Sequence, residues 1–404
     1  MMLNRNKNVL FTHSGGVTSV VNTVAHKLYE LVQNGPNQLY LSSHGVNGLI
    51  QGKLTNASDI PPEEWQLIQH TPGSSFGSSR MRLPSSPEAL EKLFTTLEAH
   101  NIGVFFCNGG NNSQLITQKM QDAADRVGYP LQCIGIPKTI DNDIYHTDTC
   151  PGFGSAAKYT ATSVLEMSLD LASMCQSSTQ VLIYEAMGRD TGWLAAASAL
   201  ARPYKGASPH IILLPEAKFS IKTVIASIKK TIQTHGHCVI CIAEGATDQD
   251  NILASHPHHR YKSLHLDALI QQSLHIKTHV VIPDYLQRSA RHIASKTDVD
   301  QSCALAEHAY KLACRGMRGI MVTVVRQAST PYQWTTSHVD LIDIAGRTRL
   351  LPSHFISQNQ LDVTESCIQY ITPLVNGEVM PPYINGLPHY SYMIYPKITA
   401  QDPS

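Results

Sequence analysis

The hydrophobic pattern of residues 8–326 alternates between short apolar runs and longer amphipathic stretches with helical spacing. The apolar runs predict buried strands at 8–13, 38–41, 103–107, 131–136, 181–184, 211–214, 239–243 and 319–326. Helical patterns lie between them, at 19–32, 87–100, 114–127, 158–173, 194–201 and 299–315. Strands that alternate with helices in this way are typical of α/β folds with doubly wound, mostly parallel sheets.

Polar or glycine-rich residues follow three of these strands at the point where each strand ends. They are Ser14–Gly16, Asn108–Ser113 and Pro137–Ile144, and Ser113 looks like the N-cap of the helix that follows it. Because ligands bind at the carboxyl ends of strands in open α/β sheets, we expect the three loops to converge on one crevice. A glycine turn between a strand and a helix also aims backbone N–H groups and a helix N-terminus at a phosphate.

Of the three loops, the one at 137–144 has the most side chains that could take part in catalysis. It holds two carboxylates, Asp141 and Asp143, together with Lys138 and the hydroxyl of Thr139. One carboxylate there can take a proton from a substrate hydroxyl, its neighbour can hold a divalent ion, and the lysine can balance phosphate charge. The alternative is an exposed loop rich in Asp and Asn.

Charged residues outside these three loops are also candidates for binding a ligand. The Ser- and Gly-rich stretch 71–82 ends in Arg80 and Arg82, which suits it to binding oxyanions, although such a stretch can also be a flexible surface loop. Arg189 and Glu244 each stand just past a predicted strand, and Glu244 is a plausible acceptor for a substrate hydroxyl.

The composition excludes several classes of protein. Acidic and basic residues number 31 each, which gives no sign of a nucleic-acid or anionic-membrane partner. No signal-peptide segment or membrane-length apolar run is present, and nine cysteines spread through apolar runs fit a reducing compartment, so we expect a cytoplasmic protein. Cys238 and Cys241 match CxxC but lie inside a strand-like run, which favours core packing over metal or redox chemistry.

Together these motifs resemble the phosphofructokinase family, most closely its pyrophosphate-dependent branch. The resemblance runs from Ser14 to at least Arg326, and its most specific element is PKTIDND at 137–143. Supporting motifs are the Gly-Gly turn at 15–16, GSSR at 77–80, GGNNS at 109–113, MGR at 187–189, AEG at 243–245 and YLQRS at 285–289.

The resemblance implies a reversible, Mg²⁺-dependent transfer of a phosphoryl group from diphosphate to the 1-hydroxyl of fructose 6-phosphate. It also implies two doubly wound, mostly parallel α/β domains, the active site in the cleft between them, and a homodimer or homotetramer. On this basis we expect a phosphoryl-donor-binding domain at about 1–150 and an interleaved sugar-phosphate-binding domain at 151–345. The proline-rich residues 346–404 would be a C-terminal extension of extended segments that packs on the core.

Carried over position by position, the resemblance assigns roles to the residues of these motifs. Asp141 would be the general base, with Thr139 beside it and Lys138 supplying positive charge. The fructose 6-phosphate site would consist of Thr139, Ile140, Asp141, Met187, Gly188, Arg189, Glu244, Tyr285, Leu286, Gln287 and Arg288. Diphosphate would be bound by Gly15, Arg80 and Asn112, and the metal by Asn111 and Asp143.

Two positions bear on the choice of phosphoryl donor. ATP-using members of the family have glycine where this chain has Lys138 and Asn112. A side chain at 112 would occupy space that the α-phosphate of ATP needs, and Lys138 can supply charge to a short diphosphate leaving group. Both positions therefore favour diphosphate as the donor.

Asn111 departs from the family, which has an aspartate associated with Mg²⁺ at this position. An amide oxygen can coordinate a metal but brings no negative charge, so metal affinity should fall. Gln180 and His279 also stand where many relatives have arginines. One alternative is therefore a catalytically weakened or non-catalytic sugar-phosphate-binding paralogue, and another is an ATP-dependent phosphofructokinase.

Overall fold

The structure is a computed structural model that describes residue 3 and residues 7–392, apart from 82, 85, 255–260 and 345. The chain divides into two compact units, and each unit is assembled from separate segments. Unit 1 comprises Met1–Gly152, Arg288–Thr348 and Gly377–Ser404, and unit 2 comprises Phe153–Gln287 and Arg349–Asn376.

The helices and strands of the described residues are numbered in chain order. The strands are β1 (Asn8–Ser14), β2 (Leu39–Ser42), β3 (Leu54–Asn56), β4 (Ile102–Gly109), β5 (Gln132–Pro137), β6 (Val181–Ala186), β7 (Ile211–Leu213), β8 (Cys238–Ala243), β9 (Thr278–Val281), β10 (Ile320–Ser329), β11 (Tyr332–Asp340), β12 (Tyr383–Ile384) and β13 (Leu387–Pro388). The α-helices are α1 (Val21–Val32), α2 (Val46–Ile50), α3 (Pro62–Ile68), α4 (Pro87–Ala99), α5 (Asn111–Val127), α6 (Phe153–Met174), α7 (Trp193–Ala197), α8 (Ile221–His235), α9 (Lys262–Leu274), α10 (Leu286–Ser289), α11 (Lys296–Cys314) and α12 (Glu365–Ile371).

Unit 1 is organised around a sheet with the strand order β11-β10-β5-β4-β1-β2-β3. The five central strands are parallel, and β3 and β11 add an antiparallel strand at each edge. Side chains of β1 alternate between the two faces: Phe11 packs in a cluster with residues of α1 and α11, whereas Leu10 packs with residues of α4 and α5. The sheet is therefore covered by helices on both faces, as the predicted doubly wound fold requires.

Unit 2 is organised around a smaller sheet with the order β7-β8-β6-β9, in which the neighbouring strands are parallel. Helix α8 begins at a capping box formed by Ser220 and Thr223 and ends at Gly236, which adopts a left-handed conformation with φ of 79°. These are the start and stop signals that local sequence gives a helix. Cys238 and Cys241 are both fully buried in β8, so the structure confirms that the CxxC match is core packing.

Helix α5 begins three residues before the predicted start at Gln114. Gly110 precedes the helix, and its carbonyl accepts hydrogen bonds from the N–H groups of Ser113 and Gln114 at 2.8 and 3.1 Å. The prediction that Ser113 is the N-cap was therefore wrong, because a glycine carbonyl nucleates the first turn. Asn111 and Asn112 consequently lie in that first turn rather than in the preceding loop.

The two units differ from the domain boundaries expected from the sequence. Residues 288–348 group with unit 1, although 288–345 were expected in the second domain, because β10 pairs with β5 and α11 packs against α1. Residues 346–404 do not form one extension either, since 349–376 group with unit 2 and 377–404 with unit 1. Part of this region is helical rather than extended, because α12 buries Cys367 and Ile371.

No helix among the described residues combines the length and the apolar content that crossing a membrane requires.

Candidate active site

Three neighbouring parallel strands of unit 1 deliver the predicted polar loops to one edge of the sheet. Ser14 at the end of β1 pairs with Gly109 at the end of β4, and Gly109 pairs in turn with Pro137 at the end of β5. The loops that follow these residues therefore leave the sheet side by side. Their predicted convergence within unit 1 is confirmed.

The glycine turn after β1 is fixed by the Ser- and Gly-rich stretch rather than held open for a ligand. Gly15 has φ of 77°, its N–H donates to the Ser79 carbonyl at 2.9 Å, and its own carbonyl accepts from the Ser78 hydroxyl at 2.7 Å. Helix α1 begins only at Val21. The expectation that this turn aims the Gly15 N–H and a helix N-terminus at a phosphate is therefore wrong, because the N–H is committed to Ser79 and the helix starts too late.

Lys138 lies beneath this turn with only 2% of its surface exposed. Its ammonium group donates to the Ser14 carbonyl at 3.0 Å and to the Gly16 carbonyl. Burial, with a smaller contribution from Arg288, lowers the pKa of Lys138 to about 8, although Cys107 and the two carboxylates of the 137–144 loop oppose the shift. Backbone carbonyls therefore hold a positive charge at the carboxyl ends of β1 and β5.

The segment after Lys138 is a tightly fixed turn. Asn142 adopts φ of 52° and is fully buried, and its side-chain oxygen accepts from the Cys150 N–H at 3.0 Å. Thr139 forms a bridge with Gly152, and its hydroxyl accepts from the Asp141 N–H at 3.1 Å. Asp141 itself remains partly exposed, so the fold offers this carboxylate from a rigid support.

Ile140 lies between these residues and is 6% exposed. The sequence assigned it to the fructose 6-phosphate site, but its side chain belongs to the protein interior.

Asn111 and Asp143 meet directly. The Asn111 amide nitrogen donates to Oδ2 of Asp143 at 2.8 Å and to its backbone carbonyl at 3.1 Å. The amide oxygen of Asn111 is buried and has no hydrogen-bond partner among the described residues. Asn112, the next residue of α5, is exposed.

This pair fits a magnesium ion only in part. Mg²⁺ prefers oxygen ligands and is commonly held by one or two carboxylates together with substrate phosphates. Asp143 supplies one carboxylate, and the unpartnered amide oxygen of Asn111 supplies a neutral oxygen beside it. No cluster of three or more His, Cys, Asp or Glu side chains suited to a metal occurs in the described part of the chain, so most of the coordination would come from phosphate and water.

Arginines complete the positive charge of this edge. The guanidinium of Arg288 lies next to the glycine turn, since a Cβ placed on Gly16 would be 3.6 Å from Nη1 of Arg288. Arg80 follows Ser79 directly and is exposed. Arg82, which the sequence grouped with Arg80, lies outside the described residues.

Unit 2 presents a second pair of loops after the neighbouring parallel strands β6 and β8. The N–H of Gly245 donates to the Gly188 carbonyl at 3.2 Å, and a Cβ on Gly245 would come within 1.7 Å of the Arg189 carbonyl. The loop after β8 therefore packs backbone to backbone against Met187–Arg189. Nε of Arg189 lies 3.5 Å from Oε1 of Glu244, and 75% of the Arg189 side chain is exposed.

Residues 285–287 behave differently from one another. Tyr285 and Leu286 are 64% and 59% exposed, whereas Gln287 is 2% exposed. The Gln287 side chain accepts from the Met187 N–H at 3.1 Å and donates to the Glu185 carbonyl at 3.4 Å. The sequence assigned Gln287 to substrate, but both ends of its amide hold the loop that carries Met187.

Glu185 is a residue of this region that the sequence reasoning missed. This acid at the end of β6 is 4% exposed, and it accepts from the Ser263 N–H at 2.8 Å and the Ser263 hydroxyl at 2.5 Å. Burial raises its pKa, which the Ser263 bonds partly offset. In the sequence, Glu185 could have been noticed as an acidic residue at the end of an otherwise apolar strand. Its bonds to Ser263 connect β6 to the start of α9.

A cleft of unit 2 lies elsewhere. It has a volume of about 960 Å³ and is lined by residues that include Arg202, His210 and His235. His210 precedes β7 and His235 ends the helix that leads to β8, so this cleft lies at the amino ends of the strands. Arg189 and Glu244 follow the carboxyl ends, and the cleft is therefore not part of their site.

Comparison with known proteins adds the family. The Phosphofructokinase family model matches residues 8–313. The chain belongs to the phosphofructokinase family. Within this family it is 38% identical to the pyrophosphate–fructose 6-phosphate 1-phosphotransferase of Halomonas elongata, over 98% of both chains. It is 39% identical to the protein of the same name from Xanthomonas campestris pv. campestris, over 95% of this chain and 96% of that one.

A solved structure of the family supports the same grouping. The pyrophosphate-dependent phosphofructokinase from Marinobacter aquaeolei superposes with a TM-score of 0.90 at 38% identity, and the match covers 98% of this chain and 99% of that one. The resemblance expected from the motifs is confirmed, and so is the two-domain α/β fold of phosphofructokinases.

Proposed function

We propose that this chain is a pyrophosphate-dependent 6-phosphofructokinase. It would transfer a phosphoryl group reversibly from diphosphate to the 1-hydroxyl of fructose 6-phosphate, giving fructose 1,6-bisphosphate and orthophosphate. The observation that carries the proposal is the near-complete match to relatives named for this reaction, in a chain whose loop 137–144 places Lys138 and a partly exposed Asp141 together.

The proposed chemistry assigns one task to each group of residues in unit 1. Asp141 accepts the proton of the 1-hydroxyl as the oxygen of that hydroxyl forms a bond to phosphorus, while the bond from phosphorus to the bridging oxygen of diphosphate breaks. Lys138 and Arg80, with Asn112 nearby, would bind the donor and stabilise the charge on departing orthophosphate, and the turn at Gly15 would hold Lys138 in place. Phosphoryl transfer depends mainly on such positioning and charge neutralisation.

The sugar phosphate would be recognised by side chains that are exposed or partly exposed. Arg189 and Arg288 would pair with its phosphate, Glu244 would accept from a sugar hydroxyl, and Tyr285 and Leu286 would contact it from the exposed turn. Met187, Gly188 and Gln287 would contribute mainly by shaping the loop, and Thr139 and Ile140 by supporting Asp141. An arginine that is exposed before substrate arrives can exchange its protein partner for a phosphate at little cost.

A magnesium ion bound by Asp143 and Asn111 would neutralise phosphate charge. With one carboxylate and one neutral amide, this pair should bind the metal weakly in the absence of diphosphate. Titration calorimetry should show tighter Mg²⁺ binding when diphosphate is present. In the Asn111→Asp variant, Mg²⁺ binding without diphosphate should strengthen.

The proposal is tested by incubating the purified protein with fructose 6-phosphate, Mg²⁺ and diphosphate, and measuring the bisphosphate formed. Asp141→Asn keeps the size of the side chain but removes the base, so turnover should fall by about 10²- to 10⁴-fold. Asp59→Asn, at an exposed position remote in sequence, is the matched control and should keep full activity. Absence of turnover with diphosphate, or faster turnover with ATP, would reject the proposal.

One observation favours a second candidate function. Because the Asn111 amide nitrogen donates to Asp143, this carboxylate has a partner without a metal, as in a sugar-phosphate-binding protein that does not catalyse transfer. That candidate predicts binding of fructose 6-phosphate without turnover, and activity that appears in Asn111→Asp.

A further inference from the structure

The stretch Thr71–Ser79, which we name the serine loop, has the composition of a flexible surface loop, but buried side chains of unit 1 hold it by hydrogen bonds. Asn22, in the first turn of α1, is fully buried. Its amide nitrogen donates to the carbonyls of Thr71 and Gly73 at 2.9 and 2.8 Å and approaches the Ser75 hydroxyl at 3.1 Å. Its amide oxygen accepts from the Ser75 N–H at 3.1 Å.

A second side chain from the same region supports the serine loop. The ring Nδ1 of His13, in β1, lies 2.5 Å from the Ser74 hydroxyl, and the His13 ring is 1% exposed. Burial, with a contribution from Lys138, lowers the pKa of His13 to about 3, so the ring stays neutral at ordinary pH. The loop is therefore fixed at Thr71, Gly73, Ser74 and Ser75 by two buried side chains.

The C-terminal residues of the serine loop bond to the glycine turn and so fix its position. Ser78 and Ser79 hold the carbonyl and the N–H of Gly15 at 2.7 and 2.9 Å. The next residue of that turn, Gly16, offers its carbonyl to Lys138. A continuous set of contacts thus runs from Asn22 through the loop to the proposed diphosphate side of the site.

We infer that Asn22 is a positioning residue for the phosphoryl donor. It touches no ligand, because its side chain is buried, and acts by holding the serine loop so that Ser78 and Ser79 keep the glycine turn and its lysine in place. The inference rests on the proposed function for the identity of the donor, diphosphate. The hydrogen bonds that define the anchor do not depend on it.

The chain offers a matched control in Gln121 of α5. This amide is 4% exposed, its nitrogen donates to the Leu131 carbonyl at 3.1 Å, and its oxygen accepts from the Cys133 N–H at 3.0 Å. These bonds lie at the amino end of β5, opposite to the proposed site. Asn22→Ala and Gln121→Ala remove comparable buried amides from unit 1, so both should lower the melting temperature to a similar extent.

Steady-state kinetics separate positioning from stability. Asn22→Ala should raise the KM for diphosphate by about ten- to hundredfold, while the KM for fructose 6-phosphate changes by less than about twofold. Gln121→Ala should change neither. The milder Asn22→Ser replaces the amide with a shorter polar group, a hydroxyl, and should give an intermediate KM, which provides a usable variant if the alanine protein does not fold. Equal increases in both KM values, or an unchanged KM for diphosphate, would overturn the inference.

Hydrogen exchange and calorimetry keep this test separate from that of the proposed function. Backbone amides of Ser75, Gly77 and Gly15 should exchange faster in Asn22→Ala than in the wild type and in Gln121→Ala. Diphosphate binding measured by calorimetry should weaken only in the Asn22 variants. If the wild type binds diphosphate but turns nothing over, the proposed function fails and the anchor is still judged by these two measurements. Unchanged exchange and unchanged diphosphate affinity would reject the anchor by themselves.

Discussion

Lys138 in unit 1 and Arg189 in unit 2 each follow a strand of their own sheet, yet the fold holds the two cations in opposite ways. Lys138 is 2% exposed and is bonded to two backbone carbonyls. The Arg189 side chain is 75% exposed, and its contact with Glu244 is 3.5 Å. The charge of Lys138 is therefore fixed in position before any ligand binds, whereas the side chain of Arg189 can change its position and its partner.

The difference follows from what each charge costs. Burying a cation is unfavourable unless hydrogen bonds replace its water, which the carbonyls of Ser14 and Gly16 do here. A charge held in this way stabilises a developing anion without further reorganisation. An exposed arginine pays no such cost, and its surface ion pair contributes little to stability. The comparison suggests a rigid donor side and an adaptable sugar side.

The largest expected effect comes from removing the fixed charge. Lys138→Met should lower kcat with diphosphate by about 10²- to 10³-fold, the range found when one preorganised donor is deleted. It should also lower the melting temperature, because the backbone carbonyls of Ser14 and Gly16 lose their hydrogen-bond donor. Bisphosphate formation and thermal unfolding measure the two effects, and activity that falls less than in Arg189→Met would reverse the comparison.

The second effect is on pH dependence. Because the pKa of Lys138 is lowered from 10.5 to about 8 by burial, the ammonium form is lost as pH rises through about 8. kcat/KM for diphosphate should therefore fall above pH 8, approaching about tenfold per pH unit. This decline should be absent from the residual activity of Lys138→Met.

Stability should respond in the opposite direction over the same range. Between about pH 8 and 10.5 the unfolded chain binds a proton at Lys138 that the folded protein does not. The contribution of this group to the free energy of unfolding therefore increases with pH across that window. Chemical denaturation of the wild type and of Lys138→Met at pH 8 and pH 10 isolates it, since the wild type should gain stability relative to the variant and the difference between the two proteins should widen at the higher pH.

The smallest effect is expected in unit 2. Arg189→Met should raise the KM for fructose 6-phosphate several-fold, on the order of fivefold, which corresponds to roughly 1 kcal/mol. It should leave the free energy of unfolding within about 0.5 kcal/mol, because the side chain is exposed. A stability loss as large as that of Lys138→Met would show that Arg189 is structural and that the two cations are alike.

The sequence predicted the parts of this picture that depend on local pattern. The apolar runs at β1, β4 and β5 are continuous because these strands are covered on both faces, so their carboxyl ends could be located to within a residue or two. The loops that follow were therefore correctly placed at one edge. The motif PKTIDND stands out in the sequence because a lysine, a hydroxyl and two carboxylates follow directly on a buried strand.

The parts that it missed depend on contacts between residues far apart in the chain. The commitment of the Gly15 N–H to Ser79, and of the Gln287 side chain to Met187, involves separations of 64 and 100 residues. Strand β11 was also missed, because it is an edge strand with mostly partly exposed side chains and lacks an apolar run. Asn22 offered a weak local signal, a polar residue between Val21 and Val24 in the buried face of α1.

The segmented course of the chain has a consequence for how this protein can be made. Unit 1 uses residues from the beginning of the chain, from 288–348 and from 377 onward, whereas the last segment of unit 2 ends at residue 376. During synthesis unit 2 therefore has all its segments before unit 1 does, and the nascent first segment waits for β10 to cover the open edge of β5 and for α11 to cover α1. A fragment that stops at residue 152 would carry that unpaired edge permanently and should aggregate, so neither unit can be excised with a single cut.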